Sequence, residues 1–250
     1  MKPFADLYAL YYDLLYRDKD YQTEADYITT LIRQYHPQAK SLLDLGCGTG
    51  KHAQCFAGQG WRVHGVDRSS GMLALAHART RPGQLTFSQA DIRQLALGHQ
   101  FDVVTALFHV MSYQTSAADL NAVFSGVAQH LAPGGLFIFD FWYGPAVLTD
   151  RPVVRVKRLE NELVQVTRIA EPECIARDNL VKVQYDIFIQ DKQQQQHQHC
   201  QEQHLMRYFF DPELDLLAQQ HGFTTVASLA WQSDRAPDFA SWYAVRVLQR

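Results

Sequence analysis

Three glycines at alternate positions, Gly46, Gly48 and Gly50, constrain this chain more than any other feature. They follow the apolar run Ser41–Leu45, which has the length of one buried parallel strand. Glycine accepts positive φ and has no Cβ, so a ligand can lie against the backbone of such a turn. Residues 51–59 predict a helix whose N-terminal amides point back at the turn. Strand, turn and helix together predict a nucleotide-type pocket at the carboxyl end of a parallel strand.

The composition is that of an ordinary globular protein. Of the 250 residues, 47% are hydrophobic and 20% are charged, with a formal net charge of −3. This near-neutral charge, without a basic stripe, argues against a nucleic-acid partner. Charged residues interrupt the first fifteen positions, so we expect neither a signal peptide nor a membrane span. Four cysteines without a CxxC pair indicate reduced thiols and a cytoplasmic protein.

Predicted strands alternate with predicted helices up to about residue 141, which is typical of a doubly wound, Rossmann-like α/β fold. From residue 151 onward, strands follow one another without helices, and we interpret the glutamine-rich residues 193–200 as a solvated hairpin tip. A last helix and two strands complete a seven-stranded, mostly parallel sheet. We therefore expect a core over residues 1–150, an inserted antiparallel β-sheet over 151–210 and the closing elements over 211–250.

Acidic residues at the ends of two predicted strands indicate how a nucleotide would be held. Asp67 lies about twenty residues after the glycine turn, where a carboxylate can accept both hydroxyls of a ribose. Asp91 would bond an adenine amino group, with Ile92 or Met72 packing against the ring. A solvated loop acid is the alternative for Asp91.

Lys51 separates two classes of nucleotide. A dinucleotide fold requires GxGxxG, with the pyrophosphate on the helix N-terminus, but Lys51 stands at the third glycine position. The turn therefore favours a ligand without phosphates, whose amino-acid moiety runs along the backbone with Asp44 near its ammonium group. A nicotinamide oxidoreductase is a weaker alternative.

With these residues placed, the chain resembles the class I S-adenosylmethionine-dependent methyltransferases. Residues 42–50 match their first motif, and Asp67, Asp91-Ile92 and residues 131–135 fall where later motifs belong. The resemblance implies S-adenosylmethionine as methyl donor, with S-adenosylhomocysteine as its product. The cofactor-binding residues that we predict on this basis are Tyr12, Tyr21, Asp44, Gly46, Cys47, Gly48, Asp67, Met72, Asp91, Ile92 and Leu107.

A narrower likeness, carried by residues 12–14, residues 19–21 and the inserted β segment, is to the sugar-nucleotide amine N,N-dimethyltransferases and their small-molecule relatives. In that group leader tyrosines help enclose the cofactor, and the fourth strand leads into a substrate-side histidine. Tyr113 stands at about that position here, with His109 four residues earlier. The likeness implies a small-molecule acceptor, such as an amino sugar nucleotide. His109 or Tyr113 would then accept the amine proton or orient the amine.

Other interpretations stay open. A small-metabolite O-methyltransferase and a non-catalytic scaffold that binds S-adenosylmethionine or S-adenosylhomocysteine are the alternatives in function. His109 packed at a strand end is the alternative to a catalytic role. The inserted segment would cover the acceptor site, contribute a contact in a homodimer, or both. His197, His199, Cys200 and His204 have zinc-ligand types but irregular spacing, so we expect no metal site.

Overall fold

The computed structural model describes residues 14–162, 164–193 and 196–250. The predicted cofactor residue Tyr12 lies outside these ranges. The helices are α1 (Tyr21–Tyr35), α2 (Lys51–Gly58), α3 (Ser70–His77), α4 (Ala117–His130), α5 (Gly144–Thr149) and α6 (Asp211–Gln220). The strands are β1 (Ser41–Leu45), β2 (Arg62–Asp67), β3 (Leu85–Gln89), β4 (Phe101–Ala106), β5 (Leu131–Tyr143), β6 (Arg155–Glu160), β7 (Val164–Ile175), β8 (Leu180–Asp191), β9 (Gln196–Phe209), β10 (Thr224–Ala230) and β11 (Tyr243–Gln249).

Seven strands form a doubly wound sheet in the order β3-β2-β1-β4-β5-β11-β10. The first five are parallel to one another, and β11 runs antiparallel between β5 and β10. The predicted fold class is therefore confirmed. Parallel pairing brings the carboxyl ends of these five strands to one edge of the sheet, and this edge carries the candidate site.

Helices pack on both faces of the sheet. Successive side chains of β5 point to opposite faces and contact helices on each. Phe137 and Phe139 pack with Phe124 of α4 on one face, whereas Ile138 packs with Phe56 of α2 on the other. All five side chains are fully buried. Among the described residues, no helix combines the length and the apolar character that a membrane crossing requires.

Side-chain caps set where the helices begin. Asp20 accepts a hydrogen bond from the backbone amide of Thr23 at 2.9 Å, so α1 begins at Tyr21. Ser69 and Ser116 cap α3 and α4 in the same way. These caps place the two loops that follow β2 and β4 at the edge of the sheet.

The segment after β5 forms an antiparallel sheet in which β6 to β9 pair in sequence order. Two residue pairs, Trp142 with Tyr208 and Tyr143 with Phe209, join β9 to the end of β5. The described residues therefore form one continuous sheet of eleven strands, compared with the seven expected for the core alone.

The predicted hairpin tip at residues 193–200 is wrong in its extent. β9 already begins at Gln196, and His199 pairs with Phe188 of β8 with their rings stacked 4.4 Å apart. This polar sequence can pair as a strand because alternate side chains of an antiparallel strand can face solvent, so only every second residue needs an apolar neighbour.

Candidate active site

One cavity of about 630 Å³ brings together the sequence-predicted residues that the structure describes. Loops at the carboxyl ends of β1 to β4 line one side, and strands β7, β8 and β9 line the other. The predicted residues that line it are Tyr21, Asp44, Gly46, Cys47, Gly48, Asp67, Met72, Asp91, Ile92, Leu107, His109 and Tyr113. The cavity therefore includes the nucleotide-type pocket and is bounded on its other side by the inserted sheet.

The glycine turn has the left-handed backbone that the sequence predicts. Gly48 has φ of +55°, and a Cβ built on it would meet no atom within 4 Å, so its backbone is open to the cavity. Gly46 has φ of +63°, and a Cβ there would lie 2.6 Å from a methyl group of Val110. Glycine is required at Gly46 both for its dihedral angle and for this close packing of two loops.

Asp67 connects the glycine turn to the start of α3. Its two carboxylate oxygens accept hydrogen bonds from the amides of Gly48 at 2.9 Å and Ser69 at 2.8 Å. Burial raises the pKa of Asp67, while the two amides act in the opposite direction. The carboxylate is therefore oriented at the strand end where a ribose was predicted.

Asp91 has a partner that the sequence reasoning did not include. The Arg93 guanidinium donates to both oxygens of Asp91, at 2.9 Å and 2.5 Å, and its hydrogen bonds lower the pKa of that carboxyl group. A bond from Asp91 to an adenine amino group would use a second lone pair of one of these oxygens. Ile92 and Met72, both buried, also line the cavity.

Asp44 is an ionisable residue buried directly before the glycine turn. It is 2% exposed, and Thr105 Oγ1 donates a hydrogen bond to its Oδ1 at 2.9 Å. Burial raises the pKa of Asp44 to about 6, against the opposing effects of His52 and Thr105. A cationic group in the cavity would compensate this buried charge.

The loop after β4 holds His109 in a strained conformation. Phe108 and His109 both have φ of +65°, which is uncommon for residues with a Cβ. Asp140 of β5 accepts the amide of His109 with both oxygens at 3.1 Å, and its Oδ2 lies 2.6 Å from His109 Nδ1. The ring of His109 stacks on Tyr243 at 4.8 Å.

Asp140 is a site residue that the sequence reasoning missed. It is 2% exposed, and although burial acts to raise its pKa, the contacts with His109 bring the pKa below its ordinary value. The available signal was that Asp140 is the single acidic residue in the apolar run at 136–141. An isolated acid in a central strand needs a buried partner.

Tyr113 lines the cavity and contacts the inserted sheet. Its hydroxyl lies 2.7 Å from Nδ1 of His204, whose Nε2 lies 3.3 Å from Oε2 of Glu202. His204 and Glu202, both on β9, are 3% and 2% exposed. Both were missed as partners of Tyr113, because their alternate spacing places them on one face of a strand but does not indicate which residue that face meets.

Residues of the leader and the insert meet across the far side of the cavity. Arg168 of β7 donates to the hydroxyl of Tyr16 at 3.1 Å and lies 5.1 Å from the ring centre of Tyr185. Tyr16 packs edge-on against Phe108 at 5.0 Å. Within the described ranges, no group of three or more His, Cys, Asp or Glu side chains is arranged to hold a metal ion.

Comparison with known proteins agrees with this geometry. A family model described as a methyltransferase domain matches residues 42–135. The chain is 38% identical over 146 residues to dTDP-3-amino-3,4,6-trideoxy-alpha-D-glucopyranose N,N-dimethyltransferase of Streptomyces venezuelae, covering 58% of this chain and 60% of that protein. It is 32% identical over 178 residues to dTDP-4-amino-2,3,4,6-tetradeoxy-D-glucose N,N-dimethyltransferase of Saccharopolyspora spinosa, covering 70% of each.

A solved structure extends the similarity over the full chain. CalS10, an amino pentose methyltransferase from Micromonospora echinaspora solved with bound S-adenosylmethionine, superposes with a TM-score of 0.76 at 26% identity. The alignment covers 100% of this chain and 99% of that one. The inserted sheet is therefore included in the aligned fold.

The residues present fit S-adenosylmethionine. The backbone at Gly48 is open to the cavity, Asp44 presents a buried carboxylate, and Asp67 is oriented by two amides. These features match an amino-acid moiety and a ribose without requiring a phosphate site. The chain belongs to the class I S-adenosylmethionine-dependent methyltransferases, and among them it resembles the sugar-nucleotide amine N,N-dimethyltransferases.

Proposed function

We propose that this chain methylates the amine of a nucleotide-linked amino sugar. The observation that carries the proposal is that the nucleotide-type pocket and the inserted sheet line one and the same cavity. The names of the two relatives above, which are N,N-dimethyltransferases of dTDP-linked amino sugars, support the choice of acceptor.

S-adenosylmethionine supplies a methyl group that is already activated on a cationic sulfur. The protein therefore has to align the acceptor, exclude water and keep the attacking nitrogen unprotonated. We assign Asp44 to the ammonium group of the cofactor, Asp67 to the ribose, and Ile92 with Met72 to the adenine ring. His109 and Tyr113 stay our candidates for contact with the amine.

Exposed arginines on the cavity support a nucleotide-linked acceptor. Arg68, Arg151 and Arg155 line it, and none of them forms a salt bridge with another described residue. Guanidinium groups bind phosphate oxygens in bidentate fashion and lose little hydration in doing so. A diphosphate at this rim would place the attached sugar inside the cavity.

We assign residues 151–210 to a segment that covers the acceptor and also contacts a second copy of the chain, between a core over 1–150 and the closing elements over 211–250. Exposed Val154 and Val156 near its first strand support the contact. Four free cysteines support a reducing, cytoplasmic setting.

Calorimetry tests the cofactor assignment. We expect S-adenosylmethionine and S-adenosylhomocysteine to bind and NAD to give no heat beyond dilution. Tight binding of NAD alone contradicts the assignment of the glycine turn.

Turnover with matched acceptors tests the reaction. The panel consists of a dTDP-linked amino sugar, the same sugar nucleotide with a hydroxyl in place of the amine, and a phenolic metabolite, each followed by mass spectrometry. We expect one and then two methyl groups on the amine and none on the hydroxyl. Methylation of the hydroxyl or the phenol alone establishes an O-methyltransferase, and cofactor binding without turnover establishes a scaffold.

A further inference from the structure

Tyr113, His204 and Glu202 form a line of polar groups that leads from the cavity wall into the inserted sheet, and the last two are buried. Tyr113 and His204 line the cavity, and Glu202 lies behind them. The two short steps, 2.7 Å and 3.3 Å, join a loop of the core to one face of β9. Three ionisable groups that contact each other in sequence have the arrangement of a proton relay.

The contacts select one arrangement of protons along this line. If Nε2 of His204 donates to the Glu202 carboxylate, Nδ1 is left as an acceptor, and the Tyr113 hydroxyl donates to it. A neutral His204 thus has a lone pair that points at Tyr113. This is the arrangement that can take up a proton from the cavity side.

Glu202 lies against the imidazole ring of His204. Glu202 is 2% exposed, and its Oε1 has no hydrogen-bond partner among the residues that the structure describes. A buried carboxylate beside a neutral ring is poorly compensated, whereas an imidazolium at 3.3 Å would neutralise it.

We propose that His204 takes up the proton of the acceptor amine through the hydroxyl of Tyr113, while Glu202 orients the ring and stabilises its charged form. The Tyr113 hydroxyl passes its own hydrogen to Nδ1 of His204 as it receives one from the substrate ammonium group. The nitrogen regains its lone pair, and His204 carries the added charge until the proton leaves to solvent. This inference rests on the proposed amine acceptor.

Dimethylation makes such a relay useful twice. A protonated amine has no lone pair with which to attack, and the product of the first transfer is again an ammonium group that must lose a proton. Burial raises the pKa of Tyr113 well above its ordinary range, so the phenol passes protons on without persisting as a phenolate. The charged and titratable groups around it are Tyr16, Tyr185, Glu202, Arg68 and His204.

The test compares matched variants across pH. His204→Asn keeps an oxygen that can accept from Tyr113 but cannot be protonated, and Tyr113→Phe removes the hydroxyl. We expect each to lower kcat with a dTDP-linked amino sugar roughly 100-fold near pH 7, with affinity for S-adenosylmethionine unchanged. The loss should shrink as the pH rises to about 9, because the amine then loses its proton in solution. Glu202→Gln should lower kcat about tenfold, because it removes only the compensating charge.

Controls separate this inference from the proposed function. His197→Asn changes an exposed histidine on the same strand and should keep wild-type turnover. If the wild-type protein methylates the amine and His204→Asn matches it at every pH, the relay is wrong and the proposed function stands. A uniform loss in His204→Asn that does not shrink with pH also overturns the relay, since it indicates a packing role. If the wild-type protein methylates no amine, the proposed function fails, and the relay fails with it.

Discussion

The carboxylate of Asp67 accepts two sets of hydrogen bonds, and one substitution removes both. It accepts hydrogen bonds from the backbone amides of Gly48 and Ser69. We assign the hydrogen bonds of the ribose hydroxyls to its remaining lone pairs. Asp67→Ala removes charge-assisted bonds that each contribute about 1.5–3 kcal/mol. We expect the Kd for S-adenosylmethionine to rise roughly 100-fold by calorimetry. An unchanged Kd means that the ribose lies elsewhere.

The buried charge of Asp44 lowers the stability of the cofactor-free protein, and we expect it to strengthen cofactor binding. The pKa of Asp44 in the folded protein is about 6, above the ordinary value of 3.8, so the buried charge lowers the free energy of unfolding at neutral pH. Asp44→Asn removes that charge while an amide oxygen still accepts from Thr105. We expect denaturant unfolding of the cofactor-free variant to show up to about 3 kcal/mol more stability at pH 7, together with weaker cofactor binding. A variant that is less stable and binds normally contradicts this role.

The same carboxyl group predicts how pH affects the wild-type protein. A folded pKa raised above the unfolded value contributes stability below the unfolded pKa, and this stability is lost as the pH rises through about 6. Relative to Asp44→Asn, the cofactor-free wild-type protein should therefore gain stability as the pH falls from neutral. Its affinity for S-adenosylmethionine should fall roughly tenfold per pH unit below pH 6, because a neutral carboxyl group no longer pairs with the ammonium group. Calorimetry over a pH series measures both trends against the variant.

The loop between β4 and the short helix at Met111–Tyr113 depends on β5 for its shape. Two residues with φ of +65° each destabilise the loop by about 1–3 kcal/mol unless their surroundings compensate. Asp140→Ala removes the acceptor for the His109 amide, and we expect about 2 kcal/mol less stability and at least a roughly tenfold lower kcat. Asp140→Asn keeps an acceptor oxygen and should restore most of the stability. Equal stability of all three proteins by denaturant unfolding would show that the loop supports itself.

Two of the arginines assigned to a diphosphate follow α5, with Arg151 in the extended segment after it and Arg155 at the start of β6. Arg151→Gln with Arg155→Gln should raise the KM for the nucleotide-linked amino sugar at least about tenfold. The KM for the free amino sugar should stay the same, because it has no phosphate to bind. Leu216→Lys, an exposed change on α6, provides the control. An equal rise for both sugars indicates a change in shape instead of a lost phosphate contact.

The assembly of whole chains is tested at β6, which pairs with β7 alone among the described strands. Such an edge presents unpaired backbone groups, and Val156 on it is 48% exposed. We expect light scattering to show a dimer for the wild-type protein and a monomer for Val156→Lys. Leu216→Lys should stay dimeric. A wild-type monomer at all concentrations refutes the contact.

The sequence allowed prediction of the fold and of the cofactor side of the cavity. Alternating strands and helices predict a doubly wound sheet, and the ends of consecutive parallel strands must meet at one edge. The position of Asp67 at the end of a predicted strand was enough to predict that it lies at this edge. Tyr113 and His204, in contrast, touch across a separation of 91 residues, and no periodicity in the sequence encodes such a pair.

The methyl donor is readable from the amino-acid order because its pocket is a local structure. A few consecutive residues around Gly46 and Gly48 set their own backbone angles and present their own amides. The wall that we assign to the acceptor exists only in the folded chain, where pairing of β9 with β5 brings Arg168, Tyr185 and His204 to the cavity that Tyr113 also lines. Hydrogen bonds between strands create that wall, and they join segments that lie far apart in the chain.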